Sequence, residues 1–291
     1  MRVAYSAEFR QWLSHNLSRG CAEADLIAAM LGQGFKPEIA QGLLGAFQQA
    51  MRAGLPPPVD AVEFEAAPAG YQYETPRLPP GTRVSTPDRE VRVLTRLEQP
   101  VLAVLEGVLS AEECAQVIEA ARGRLTPSTV VDPATGEDQP AEYRDSEGMF
   151  FALCENPLIA KLDERISALM QMPLAHGEGL QVLRYGPGAQ STPHFDFLNP
   201  VNAANRESLA RSGQRASTLV VYLNEVEDGG ETVFPELGLA VAPRPGNAVY
   251  FEYANSLGQV DPLSVHAGAP VRAGEKWALT KWMRERPFRS A

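Results

Sequence analysis

Leu180 to Asp196 read LQVLRYGPGAQSTPHFD, and this stretch decides the fold. Before it, apolar residues recur at helical spacing; from here on they come in short runs. LQVLRY (180–185) is closed by Gly186-Pro187-Gly188, and STLVVYL (217–223), NAVYFEY (247–253) and KWALTKW (276–282) follow between Gly/Pro/Asn turns. Runs of this length with such punctuation form strands. Their spacing predicts an antiparallel sandwich or barrel with helices packed outside. The stretch ends in His194-Phe195-Asp196. Residues two apart on a strand point to the same face, so an imidazole and a carboxylate converge there on one point.

Working outward, Ser110-Ala-Glu-Glu113 is a capping box that opens a helix to about Ala121. Asn156-Pro157 opens a second, with Leu158, Leu162, Ile166 and Leu169 on one face. Residues 96–291 therefore read as one α+β domain. Residues 55–88 hold eight of the chain's 24 prolines. Proline fixes φ and removes donors, so 55–95 is expected to be an extended, semi-rigid linker. Residues 1–54 read as a small helical bundle of unassigned role. Ser6 caps a first helix ending near Gly20, a second runs from about Ala22 to Gly32, and a third starts at Pro37 and stops at Gly54.

Hydrophobic residues make up 44% and charged residues 21%, which is enough apolar material for a sizeable core. The net charge is −10, of which residues 96–291 carry −9 (17 Lys/Arg against 26 Asp/Glu). No basic run offers a footprint for a phosphate backbone, so no nucleic-acid partner is expected. Cys21, Cys114 and Cys154 form neither a CxxC pair nor a disulfide framework. The N-terminus lacks an apolar signal core, and no run of ~18 apolar residues could span a bilayer. The expectation is a cytoplasmic protein with no membrane partner.

The chain has four histidines, His15, His176, His194 and His266. His266 ends another short strand segment, far along the chain from the H-x-D. Two histidines and one carboxylate make the facial triad that holds iron(II) and leaves positions open. An H-x-D with a distant histidine is also common among ordinary surface or core residues. Lys276 adds weight, because a turn at Ala273-Gly274 returns the chain beside its neighbour and places a lysine in an otherwise apolar strand with Trp277 and Trp282. A buried cation needs a partner, such as the distal carboxylate of a dicarboxylic cosubstrate; a solvated strand end is the plainer alternative.

At this point the motifs YGPG, PHFD, YLNEVEDGGETVFP, VDPLSVHAGAPV and GEKWALTKW together resemble the prolyl 4-hydroxylase family of iron(II)/2-oxoglutarate-dependent dioxygenases, from about residue 98 to the C-terminus. The resemblance implies a double-stranded β-helix (jelly-roll) core with supporting helices. It implies iron(II), 2-oxoglutarate and O2 as the reacting set, with ascorbate as an optional addition, and hydroxylation of an unactivated C–H bond as 2-oxoglutarate is decarboxylated to succinate. Carried over, His194, Asp196 and His266 would hold iron. Lys276 and Thr232 would bind the distal carboxylate, with Tyr185 nearby. Arg144, Ser146, Glu178, Gln181, Arg215 and Trp282 would contact a peptide substrate.

Two positions depart from the family pattern. Ser191 stands where a tyrosine usually reaches the target proline, and Arg284 where a substrate-contacting histidine is usual. Residues 198–213 read as a polar loop and a substrate lid. The leading expectation is a hydroxylase of proline in a peptide or protein. A hydroxylase of another residue or of a free amino acid stays open, as does a non-catalytic cupin-like binding module. A homodimer is left open too. A Rossmann reading fails, since Ser191 takes the third glycine position after Gly186 and Gly188.

Overall fold

The computed structural model of the chain describes residues 2–52, 55–63, 71–127, 129–131, 138–140 and 146–289. These divide into two units, Met1–Tyr71 and Gln72–Ala291.

In the first unit the Ser6 side chain accepts from the Phe9 amide and caps α1 (Ala7–Ser18). Helices α2 (Glu23–Gly32) and α3 (Pro37–Arg52) follow. Ala40, Leu43, Leu44 and Phe47 recur at i, i+3, i+4 and i+7 on α3 and pack with Leu13, Leu17, Leu26 and Met30. Strands β1 (Arg2–Ala4) and β2 (Ala61–Glu63) pair antiparallel, and Val62 joins the same core.

The second unit is a mixed α/β fold around a nine-stranded antiparallel sheet. Its spatial order is β3 (Arg83–Ser85), β4 (Glu90–Glu98), β5 (Val101–Glu106), β16 (Ala248–Glu252), β12 (Arg215–Tyr222), β19 (Lys276–Arg284), β10 (Leu180–Tyr185), β9 (Ser146–Phe151) and β6 (Thr126–Pro127). A four-stranded sheet runs β11 (Ser191–His194), β17 (His266–Gly268), β14 (Thr232–Phe234), β15 (Leu239–Val241). Two small pairs complete it, β13 (Asp228–Gly229) with β18 (Val271–Ala273) and β7 (Thr129–Val131) with β8 (Asp138–Pro140). The expected strands and both expected helices are present. The capping box at Ser110 opens α4 (Ala111–Arg122), and Asn156 caps α5 (Pro157–Leu169).

Strand alternation sorts the large sheet into two faces. Ala248 and Tyr250 pack under the helices with Val117, Ile159, Leu162 and Ile166, whereas Val249 and Phe251 join Leu102, Tyr222 and Phe234 in a separate core. On β19, Trp277, Leu279 and Met283 take the helix side, and Lys276, Ala278, Thr280 and Trp282 line a cleft on the other. Lys281 faces the helix side as well, where it pairs with Asp163 of α5 at 2.7 Å, both fully buried.

Three expectations need correction. The 55–95 linker carries structure at both ends: β2 lies within it, and β3 with most of β4 belongs to the large sheet. Val84 and Val91 are buried there, and the Arg77 amide and guanidinium both bind Glu252. The prolines fall between the strands rather than within them, which leaves the ladder intact. The 198–213 loop contains α6 (Ala203–Ser212), capped by the Asn202 side chain. Only Ser212 of α6 is buried, so the helix has no apolar stripe for a sequence reading to find. His266 opens β17 rather than ending a strand.

Candidate active site

His194 and His266 are brought together by the pairing of β11 with β17, in which they are direct partners. Their ring centroids are 4.4 Å apart. Asp196 lies just past the end of β11, in a bend rather than on the strand as expected. That bend turns its carboxylate toward both rings, with Oδ1 3.9 Å from His194 Nε2 and Oδ2 3.7 Å from His266 Nε2. One ligand atom from each of the three residues lies within 4.8 Å of the others.

The surroundings prepare these groups as ligands. His194 Nδ1 is 2.8 Å from the Thr192 carbonyl and His266 Nδ1 3.0 Å from the Ser264 carbonyl. A carbonyl only accepts, so each Nδ1 carries a proton, and each Nε2 is the ring nitrogen turned toward Asp196. Burial alone would raise the Asp196 carboxyl, but His266, His194 and Arg215 together with the Thr218 hydroxyl bring it down to about 2. Thr218 donates to Asp196 Oδ2 at 2.7 Å and fixes the carboxylate's rotamer. Two imidazoles and one carboxylate on one side of an open cleft fit iron(II), with coordination positions left over.

Lys276 is 5% exposed and lies in the same cleft. Its ammonium is 5.6 Å and 5.7 Å from the ring centroids of Tyr185 and Tyr222. Among the described residues it makes no hydrogen bond or ion pair. Burial pulls its pKa down to about 8, against a raising effect of Glu231. Left-handed glycines shape this corner, since Gly274 (φ +76°) makes the turn into β19 and a Cβ on Gly230 (φ +71°) would press on Lys276 Cδ at 3.3 Å. Thr232 is buried beside it, and its Oγ1 accepts from the Tyr222 hydroxyl at 2.8 Å. With that lone pair taken, the threonine's own proton is free to point into the cleft. The site is a buried cation with an adjacent hydroxyl donor, built for an anion.

The cleft brings together His194, Asp196, His266, Tyr185, Gln181, Ser191, Thr232, Lys276 and Trp282. The Trp282 indole nitrogen is buried there with no hydrogen-bond partner among the described residues. Ser146 is buried on β9 opposite Tyr185 and does not line the cleft. Arg144 lies outside the described residues. Glu178, Arg215 and Arg284, expected to face a substrate, are engaged with one another instead. Arg215 holds both oxygens of Glu178 at 2.8 Å and 2.9 Å, and Arg284 Nη1 donates to Oε1 at 3.0 Å. Arg215 reaches the site secondarily, stacking 4.0 Å over the Trp282 ring and donating to the Asp196 carbonyl at 3.2 Å. Sequence reasoning missed Tyr222 and Thr218. The available signal for Tyr222 was chemical, because a phenol in an apolar strand requires a buried partner.

Against known proteins, residues 180–284 match the 2OG-Fe(II) oxygenase superfamily. Prolyl 4-hydroxylase 1 of Arabidopsis thaliana is 40% identical over 202 residues, covering 64% of this chain and 70% of that protein. Probable prolyl 4-hydroxylase 3 of the same plant is 38% identical over 205 residues, covering 64% and 69%. Among solved structures, the viral collagen prolyl hydroxylase of Paramecium Bursaria Chlorella virus-1 in its 2OG complex aligns with a TM-score of 0.50 and 28% identity, over 63% of this chain and 95% of that one.

Proposed function

Since the chain belongs to the prolyl 4-hydroxylase family of 2OG-Fe(II) oxygenases, we propose that it hydroxylates proline in a peptide or protein at the cleft between its two sheets. We read those sheets as the two halves of a double-stranded β-helix. The observation that carries the reading is the His194–Asp196–His266 triad facing, across one cleft, a buried Lys276 that has no hydrogen bond or ion pair among the described residues.

In this reading His194 Nε2, Asp196 and His266 Nε2 hold iron(II). Lys276 and the Thr232 hydroxyl bind the distal carboxylate of 2-oxoglutarate, with Tyr185 and Tyr222 walling the chain and Tyr222 orienting Thr232. Bound there, iron(II) with O2 and 2-oxoglutarate supplies the oxidation: one oxygen atom enters the C–H bond and the other enters succinate as CO2 leaves. The Trp282 N–H offers a donor to a substrate carbonyl, and Gln181 and Ser191 line the space beside it. The low dielectric of the cleft strengthens each of these contacts.

Ser191 favours a second reading. Its side chain is shorter than the tyrosine usual at this position and lines the cleft, which suits hydroxylation of a different residue or of a free amino acid. The deciding experiment incubates the protein with iron(II), 2-oxoglutarate and ascorbate against proline-rich peptides, proline-free peptides and free L-proline. Mass spectrometry then looks for one added oxygen. Modification of a peptidyl proline is the expected result; modification of free amino acids alone would replace the first reading by the second.

A further inference from the structure

Arg284 ends β19 at 1% exposure, and all three of its guanidinium nitrogens are used inside the protein. Nη1 donates to Glu178 Oε1 at 3.0 Å, and Nε to the Gly213 carbonyl at 3.1 Å. Nη2 donates to Gly213 O at 2.5 Å, Ser208 O at 2.9 Å and Ser208 Oγ at 3.1 Å. Ser208 and Gly213 are in the second half of α6 and at its C-cap. The cation therefore occupies the place where a helix leaves carbonyls unsatisfied and where its dipole favours positive charge.

The next residues reinforce the hold. Arg286 Nη2 donates to Leu209 O at 2.7 Å and Ala210 O at 2.8 Å. At the base of the segment the Gln214 side chain takes both backbone groups of Leu198, at 2.7 Å and 2.9 Å. Leu198 is two residues past Asp196, and Gln214 immediately precedes Arg215. The α6 segment thus starts at a triad residue and returns to the arginine stacked on Trp282.

We propose that Arg284 is a positioning residue for substrate, a latch that fixes α6 and, through Glu178, aims Arg215 and Trp282 at the cleft without touching the substrate itself. This rests on the hydroxylase reading above. A histidine could not replace it, because an imidazole offers at most two N–H donors where the guanidinium fork offers five. A lysine keeps the charge beside Glu178 but not the planar fork that spans Ser208 and Gly213.

The test compares wild type with Arg284→Ala, Arg284→His and Arg284→Lys by hydrogen exchange over residues 198–213 without substrate, and by turnover. Wild-type turnover is read first and judges the hydroxylase reading alone. The latch is then judged on whichever substrate wild type accepts. Expected are a fall of about tenfold or more in α6 protection and a rise of about tenfold in substrate KM in the Ala and His variants, with 2-oxoglutarate affinity unchanged. Lys is expected to be intermediate, and it keeps the test informative should Ala fail to fold. A raised KM with unchanged exchange would mean direct substrate contact and overturn the proposal. Weakened protection with unchanged KM would reduce Arg284 to a structural residue and overturn it equally.

Discussion

Lys276 is a cation in a place that penalises it. Its folded pKa of about 8 lies below the ordinary 10.5, so the unfolded chain binds its proton more tightly than the folded one. The ligand-free protein is therefore destabilised below about pH 8 and gains stability as pH climbs from there toward 10.5. Lys276→Met removes this penalty, on the order of 3 kcal/mol at neutral pH, and is expected to raise the Tm of the ligand-free protein while abolishing its stabilisation by 2-oxoglutarate. A lowered Tm with the 2-oxoglutarate response intact would mean that the ammonium has another partner. In wild type, 2-oxoglutarate binding is expected to weaken as pH rises above about 8, because the anion needs the protonated lysine. Tyr222→Phe tests the neighbouring contact. Loss of the hydrogen bond to Thr232 is expected to raise the 2-oxoglutarate Kd by about tenfold, read by calorimetry with no turnover; an unchanged Kd would show that Thr232 does not depend on it.

Strand β19 carries two chemistries on its two faces, the cleft lysine Lys276 on one and the structural Lys281 on the other. Lys281 donates to Asp163 at 2.7 Å and to the Glu178 carbonyl at 2.5 Å, while the other Asp163 oxygen accepts from the Cys154 amide at 2.8 Å. Lys281→Met strands a buried carboxylate and is expected to cost about 3–5 kcal/mol in denaturant unfolding. Adding Asp163→Asn, which keeps an acceptor for Cys154, is expected to recover much of that loss; additive losses would show the pair uncoupled. Local signals made much of this layer readable. Capping residues placed α4 and α5, apolar runs placed β10, β12, β16 and β19, and the turn before Lys276 singled out that lysine. Partners were not readable, because Glu178 and Arg284 are 106 positions apart and periodicity says nothing of what a buried charge will meet. The bend that carries Asp196 off the strand and the polar α6 escaped for the same reason: neither leaves a period in the sequence.

Each of the two units has its own hydrophobic core, and the second contains the whole candidate site. Residues 72–291 alone are expected to unfold cooperatively and to keep 2-oxoglutarate binding. A protein of residues 96–291 lacks β3, most of β4 and the Arg77–Glu252 contact, which exposes the edge of β5, so it is expected to aggregate. Equal solubility and Tm for the two would restore the longer linker. The central claim, one iron(II) centre with its 2-oxoglutarate anchor, is tested most directly by anaerobic titration with iron(II) and 2-oxoglutarate, followed through the weak visible charge-transfer band of the chelated ferrous ion. The band should appear in wild type only when both are present, vanish in Asp196→Ala, and demand far more 2-oxoglutarate in Lys276→Met. A wild-type protein without the band, or a band that survives Asp196→Ala unchanged, would contradict it.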